Sequence, residues 1–328
     1  MREAQKRLAV FGFLWDNDSI ARRRARTVCP VYEFEKGLEY VSPKKIALLT
    51  DSCADLSPRL RAENHIYTVP LRILCTDGEY ADSVNIDGTE VCRRLRAGEL
   101  PQTSLPSVES VGAVLKEIRE AGYDGVIAVM LSSGLSGTYN LVRLVAEESG
   151  EDFPIRVFDS VSGSLGQGLT LLQLAEDIRN GMDWEELTER RTPRLIAGTF
   201  PFFSVDTLEY LLKGGRIGKV TATAGTLLQI KPIISFAPDG QLQSVAKVRG
   251  RNQVIDKLVA MTVDRCGSHR RYNLAVAHGG APAEMAVVRE KLTAALPRYD
   301  HIWEGEIDGT LSVYIGDGVL GAAVQVLD

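Results

Sequence analysis

The sequence predicts an α/β protein with two domains: a parallel-sheet α/β domain, then an α+β domain whose mixed sheet is flanked by helices. Three observations carry this. Short apolar runs at residues 46–50, 125–130 and 155–158 alternate with helical patterns, the order that a parallel sheet covered on both faces requires. Each run ends in polar residues, namely Asp51-Ser52, Ser132 to Thr138, and Asp159-Ser160. After residue 194 the rhythm changes, and Pro238-Asp239-Gly240 signals a hairpin between two β-like runs.

The elements follow in order. Residues 1–44 mix a short apolar run with Arg22-Arg23-Arg24-Ala25-Arg26 and read as an extension packed on the main body. The first domain spans 45–194 and the second 195–328. After strand 46–50 comes a β-like run over 66–74 with Pro70 inside it, which suggests an edge. Asp87 can N-cap a helix ending near Gly98, and Ser107 can cap the next, where Val108, Val111, Leu115 and Ile118 recur at helical spacing up to Gly122. Strand 125–130, a helix with Leu141, Leu144 and Val145 on one face, strand 155–158 and a Leu-rich helix through Ile178 follow. In the second domain, 195–204 reads as a strand, and Asp206 as the cap of a short helix ending in Lys213-Gly214-Gly215-Arg216. Runs 232–236 and 241–248 flank the hairpin turn. A helix over 252–266, a strand over 273–277, a helix with Pro282 near its start, and strands 301–307 and 322–327 around a loop at 313–318 complete the pattern.

Composition bounds the partners. The 328 residues are 45% hydrophobic and 25% charged with a net charge of −5, so no broad attraction to nucleic acid is expected. The five cysteines, Cys29, Cys53, Cys75, Cys92 and Cys266, are odd in number and form no Cys-x-x-Cys pair. A disulfide framework and a structural zinc site are therefore not expected, and a reducing cytoplasm fits. The apolar stretch 8–15 after Lys6-Arg7 is too short for a signal peptide, and no run is long enough for stable membrane insertion.

Two hydroxyl-rich turns stand out. Leu131-Ser132-Ser133-Gly134-Leu135-Ser136-Gly137-Thr138 lies between a strand and a helix, and Thr103-Ser104-Leu105-Pro106-Ser107 lies just before a helix. Such turns aim N–H groups and hydroxyls at one spot beside the positive end of a helix dipole, which suits a small anion. They lie in a sheet protein whose ligands bind at the carboxyl ends of strands. Helix capping alone explains each cluster equally well.

With Thr50-Asp51-Ser52 and Asp55-Leu56, these turns give the chain its family likeness. Asp159-Ser160, Val205-Asp206-Thr207-Leu208-Glu209-Tyr210-Leu211, Lys213-Gly214-Gly215-Arg216-Ile217 and Lys231-Pro232-Ile233 continue it. In these motifs, kept in order over residues 45–328, the chain resembles the DegV family of bacterial lipid-binding proteins. The resemblance implies a protein that needs no cofactor and holds one long-chain fatty acid, its carboxylate on Thr103 and Ser136, with Ser104, Gly137, Tyr314 and Gly316 near the head group. It implies a tunnel in the second domain, for which Ala222, Ala224, Gly225, Leu227, Leu228 and Ile230 are candidates, an ordinary packed helix being the other explanation. It further implies presentation of the carboxylate to a separate fatty acid kinase catalytic subunit that makes acyl phosphate, by a monomer or homodimer. Arg216, Asp51 and His278 are candidates to support that transfer; Arg216 also reads as a helix C-terminal cation, and His278 as a capping residue.

One departure matters. Where the family often carries His-Thr-Gly-Pro-Gly, this chain has Tyr314-Ile315-Gly316-Asp317-Gly318. A tyrosine can donate to a carboxylate but cannot carry imidazole's charge, and an inward Asp317 would repel an anion. Leu105 replaces a frequent Gln. The alternative functions are a serine hydrolase using Ser136, weakened because Thr138 stands where a nucleophile elbow has Gly, and a fatty acid or small-anion binder without a kinase partner.

Overall fold

The computed structural model describes residues 45–150, 152–220 and 230–328. The reading of residues 1–44 lies outside them. In chain order the elements are β1 (Ile46–Asp51), a 3-10 turn (Ser52–Ala54), α1 (Pro58–Glu63), β2 (Ile66–Val69), β3 (Arg72–Cys75), β4 (Gly78–Ala81), α2 (Gly88–Arg96), β5 (Gln102–Ser104), α3 (Val108–Glu120), β6 (Gly125–Met130), α4 (Thr138–Glu147), β7 (Ile155–Asp159) and α5 (Leu165–Arg179). A π-helical stretch (Glu186–Arg191) runs into α6 (Thr192–Ala197). Then come β8 (Thr199–Ser204), α7 (Glu209–Lys213), β9 (Ile230–Phe236), β10 (Leu242–Arg249), α8 (Arg251–Cys266), β11 (Tyr272–Gly279), α9 (Pro282–Ala295), β12 (Ile302–Glu306), α10 (Gly309–Ile315) and β13 (Val319–Val326).

The first half forms a parallel sheet of order β2-β1-β6-β7, as the alternating pattern predicts. Its central strands β1 and β6 are buried along their whole length, which is why they read as unbroken apolar runs. One face packs under α3 and α4 through Val111, Leu115, Ile118 and Val142. The other face meets α5. The second half forms a mixed sheet of order β10-β9-β8-β13-β11-β12, with α8 and α9 on its outer face. Helix α5 lies between the two sheets, and Leu165, Leu169, Leu171, Leu172 and Leu174 join both in one core. A helix apolar all round is one buried all round.

A third sheet, the antiparallel β4-β3-β5, is an addition to the expectation. The β-like run 66–74 is two strands in two sheets, because Pro70 cannot donate to a ladder and the chain turns there. Three further corrections concern the second half. The strand expected at 195–204 starts at Thr199, its first residues ending α6. Asp206 does not cap α7; Thr207 Oγ1 accepts from Glu209 N (3.1 Å), while Asp206 accepts from Lys231 Nζ (3.0 Å). The loop expected at 313–318 begins inside α10, whose first turn is capped by Asp308 accepting from Leu311 N at 2.8 Å. The caps Asp87 and Ser107, the hairpin at 238–240 and Pro282 in the first turn of α9 are as predicted.

Candidate functional site

Between α5, the inner face of the mixed sheet, α7 and α10 lies a cavity whose empty space, counted together with the open solvent at its mouth, is about 940 Å³. Among the described residues its lining is apolar except for Thr103, Ser136, Ser164, Arg216, Thr310 and Tyr314. Arg216 is the one charged group among them.

Four of these polar groups converge. Thr103 projects inward from the middle of β5, and its Oγ1 lies 2.5 Å from the Tyr314 hydroxyl on α10. The Arg216 guanidinium stacks on the Tyr314 ring, 4.9 Å from its centroid, a cation–π arrangement that holds both planes. Arg216 Nη1 donates to Gly214 O (2.8 Å) and Nε to Leu135 O (3.3 Å), beside Ser136. Ser136 Oγ lies 2.9 Å from Thr138 Oγ1 and accepts from Thr138 N (3.3 Å). Gly214 packs flat against the Tyr314 ring, so closely that a Cβ there would fall inside it.

The frame is built from strand ends. Asp51 closes β1 and accepts from Leu131 N (2.6 Å), Cys53 N (3.0 Å) and Gln167 Nε2 (3.2 Å), so it anchors the start of the serine loop. Burial pushes its carboxyl up to about 6. Ser132 Oγ donates to Gly240 O (2.8 Å), tying the loop to the β9–β10 hairpin. Helix α10 is held by residues distant in sequence: Asp82 accepts from Gly309 N (2.9 Å) and Thr310 N (3.2 Å), and Asp55 Oδ1 from Asp308 N (2.8 Å). Desolvation raises Asp55 to about 7 and Asp308 well above the usual carboxylate range. The two side chains lie within hydrogen-bonding reach of each other, and burial favours the protonated form of both.

Of the residues singled out in the sequence, Thr103, Ser136, Arg216 and Tyr314 come together. The others do not reach the cavity. Ser104 alternates to the opposite side of β5 and accepts from Arg72 Nη2 (2.9 Å). Gly137 is the N-cap of α4 and packs on Leu105. Gly316 ends α10 at φ +65° against the Tyr210 ring, a conformation that favours glycine. Asp51 is buried in the frame, and His278 Nδ1 accepts from Ala281 N (3.4 Å) at the start of α9. Asp317 turns outward into an ion pair with Arg96, and no acid is among the described residues that line the cavity. Of the tunnel candidates, 222–228 lie outside the described residues, and Ile230 does not line the cavity. The lining that the motifs missed is on the sheet: Phe203, Ala275, Ala277, Gly321 and Ala323. The signal was the alternation of small residues on β11 and β13.

The Ser136 hydroxyl faces Thr138, and no histidine is among the described residues that line the cavity. The geometry supplies hydrogen-bond donors and one cation at one place, and an apolar chamber behind them. No helix among the described residues is long and apolar enough to cross a membrane.

A sequence model of the DegV family, described as uncharacterised proteins, matches residues 45–326. A DegV domain-containing protein of Clostridium acetobutylicum is 37% identical over 281 residues, 86% of this chain and 99% of that one. A DegV family protein from Thermus thermophilus, described as binding fatty acid, superposes with a TM-score of 0.81 at 29% identity, covering 86% of this chain and all (100%) of the other. The fatty acid binding protein DegV of Bacillus subtilis does so with a TM-score of 0.77 at 27% identity, over 86% and 99%. On the matched motifs, the shared architecture and these likenesses, the chain belongs to the DegV family.

Proposed function

We propose that the protein binds one long-chain fatty acid, with the carboxylate at Thr103, Ser136, Tyr314 and Arg216 and the acyl chain in the apolar chamber. It then presents the carboxylate to a separate ATP-dependent kinase subunit, which forms acyl phosphate. The observation that carries the reading is the segregation of the cavity: an apolar floor of sheet residues, and a convergent polar cluster that holds the Arg216 guanidinium. The fatty acid binding described for the Thermus and Bacillus relatives supports it.

The chemistry divides the work. Burying the tail contributes about 0.8 kcal/mol per CH₂, so about fourteen methylenes give on the order of 10 kcal/mol gross. The head contacts are short charge-assisted bonds that fix orientation. Arg216 neutralises the carboxylate while Tyr314 donates to it, which replaces what a protonated imidazole would do alone. An anion there also has a cation ready for the charge that grows on phosphorylation.

Native mass spectrometry of the purified protein, followed by solvent extraction, tests the binding. A one-to-one adduct released as free fatty acid is expected; a protein that neither carries nor takes up fatty acid refutes it. The transfer is tested by adding a fatty acid kinase catalytic subunit, ATP and hydroxylamine to the loaded protein. Acyl hydroxamate formed only with all components supports presentation, and its absence with a subunit active on another binding protein refutes it.

A further inference from the structure

The inner face of the mixed sheet changes character along its strands. On β13 the inward positions are Val319, Gly321, Ala323 and Gln325. On β11, Ala277 lies opposite Gly321, Ala275 opposite Ala323, and Asn273 opposite Gln325. On β8 the same rows continue with Phe203, Pro201 and Thr199. The first two rows line the cavity, and the third does not.

That third row is polar and buried: Gln325 and Asn273 are 0% exposed and Thr199 is 4% exposed. Gln325 Nε2 donates to Thr199 Oγ1 (3.0 Å), and Asn273 Nδ2 to Gln173 Oε1 on α5 (2.8 Å) and to Gln325 Oε1 (3.3 Å). Among the described residues Asn273 Oδ1 has no partner. The head cluster is at the other end, because Tyr314 precedes Val319 by five residues through the turn at Gly316. From Val319 to Gln325 the strand rises roughly 20 Å at about 3.4 Å per residue.

We propose that the row Thr199–Gln325–Asn273 is the end stop of the acyl chamber, and that Ala323 and Ala275 in the row before it set the chain length retained. The inference rests on the fatty acid reading above. A methyl terminus that pushed beyond Ala323 would part hydrogen-bonded amides and offer no polar atom in return, which buried networks resist strongly. On the near side of the stop the floor is apolar, and its last row, Ala275, Ala323 and Pro201, presents two methyl groups beside the proline ring, so the depth available to the tail is set at that row. The ligand class is an unbranched acyl chain with an upper length limit.

The test loads the full-length protein from an equimolar mixture of saturated even-chain fatty acids and reads the bound species by native mass spectrometry. The wild-type distribution should fall sharply above one length. Ala323→Leu and Ala275→Leu should each move the maximum to shorter chains, with about fourfold lower retention for every methylene that loses its place. Gln325→Ala should admit longer chains; if that variant does not fold, the two leucine variants decide. Bound fatty acid with an unchanged length distribution in the leucine variants overturns the end-stop assignment while leaving the binding reading intact. No fatty acid on the wild-type protein overturns the binding reading and this inference with it.

Discussion

Tyr314→Phe removes one hydroxyl and keeps the ring that stacks under Arg216 and against Gly214. In the free protein the lost bond is the 2.5 Å contact with Thr103, a neutral pair worth about 0.5–1.5 kcal/mol. In the loaded protein the hydroxyl faces a carboxylate, where one bond to a charged group contributes about 1.5–3 kcal/mol. The difference between the two states, about 1 kcal/mol and at most about 2.5, sets the effect, so fatty acid affinity should fall roughly tenfold and by no more than about 70-fold. Binding should nevertheless persist, because the tail term is unchanged. The corresponding fatty alcohol bears no charge and should lose far less. The assay is competition of palmitate and hexadecanol against a fluorescent fatty acid, for the wild type and for Tyr314→Phe. A fall in the acid-over-alcohol preference is expected, with a thermal midpoint close to that of the wild type. An unchanged preference would refute the placement of the carboxylate at Tyr314.

Two further outcomes follow from the frame. Burial raises Asp51 to about 6 and Asp55 to about 7, whereas an unfolded aspartate titrates near 4. The folded chain thus holds more protons than the unfolded chain between pH ~4 and ~7, so their contribution to stability is full below that window and is lost as pH rises through it. Asp77 and Glu90, held down to about 2 by hydrogen bonds from Arg94 and Arg93, act only below the window. Thermal midpoints should be higher at pH 5 than at pH 7.5, and equal midpoints would contradict the assignment. Asp82→Ala strips two backbone N–H groups at the start of α10 of their acceptor, which should cost about 1–3 kcal/mol. Because α10 carries Tyr314, fatty acid dissociation should also quicken; urea unfolding and a dissociation trace check the two effects separately, and wild-type values in both would remove the role given to Asp82.

The parallel sheet was legible because its central strands β1 and β6 are buried on both faces, and because Ser107 and Gly122 punctuate α3 by local chemistry, as Asp87 and Gly98 do α2. Thr103, Ser136 and Arg216 were legible as motif residues. The parts that were not legible depend on distant partners. β5 is three residues long and exists because β3 offers it an edge; no periodicity shows in so short a run. α10 has the unpromising composition Gly-Thr-Leu-Ser-Val-Tyr-Ile, poor in strong helix formers, and is started by Asp82 and Asp55 more than 200 positions away. Ser104 and Thr103 look alike in sequence, and only the pleat of β5 separates the one facing the cavity from the one facing Arg72. The chamber floor was missed because alanine and glycine at alternate positions of β11 and β13 look like ordinary strand interior until a void is seen above them.

The position of β13 has a consequence for how the protein is made. It lies between β8 and β11, yet a ribosome releases it after both of them. Until it arrives, β8 and β11 have no common neighbour, and the small-residue floor does not exist as a surface. Its contacts with β8 join residues more than 110 positions apart, the kind of long-range pairing that forms slowly. Loading with a lipid therefore belongs after synthesis, and a nascent chain offers the cell two finished sheets and an interrupted third rather than a partly formed receptor.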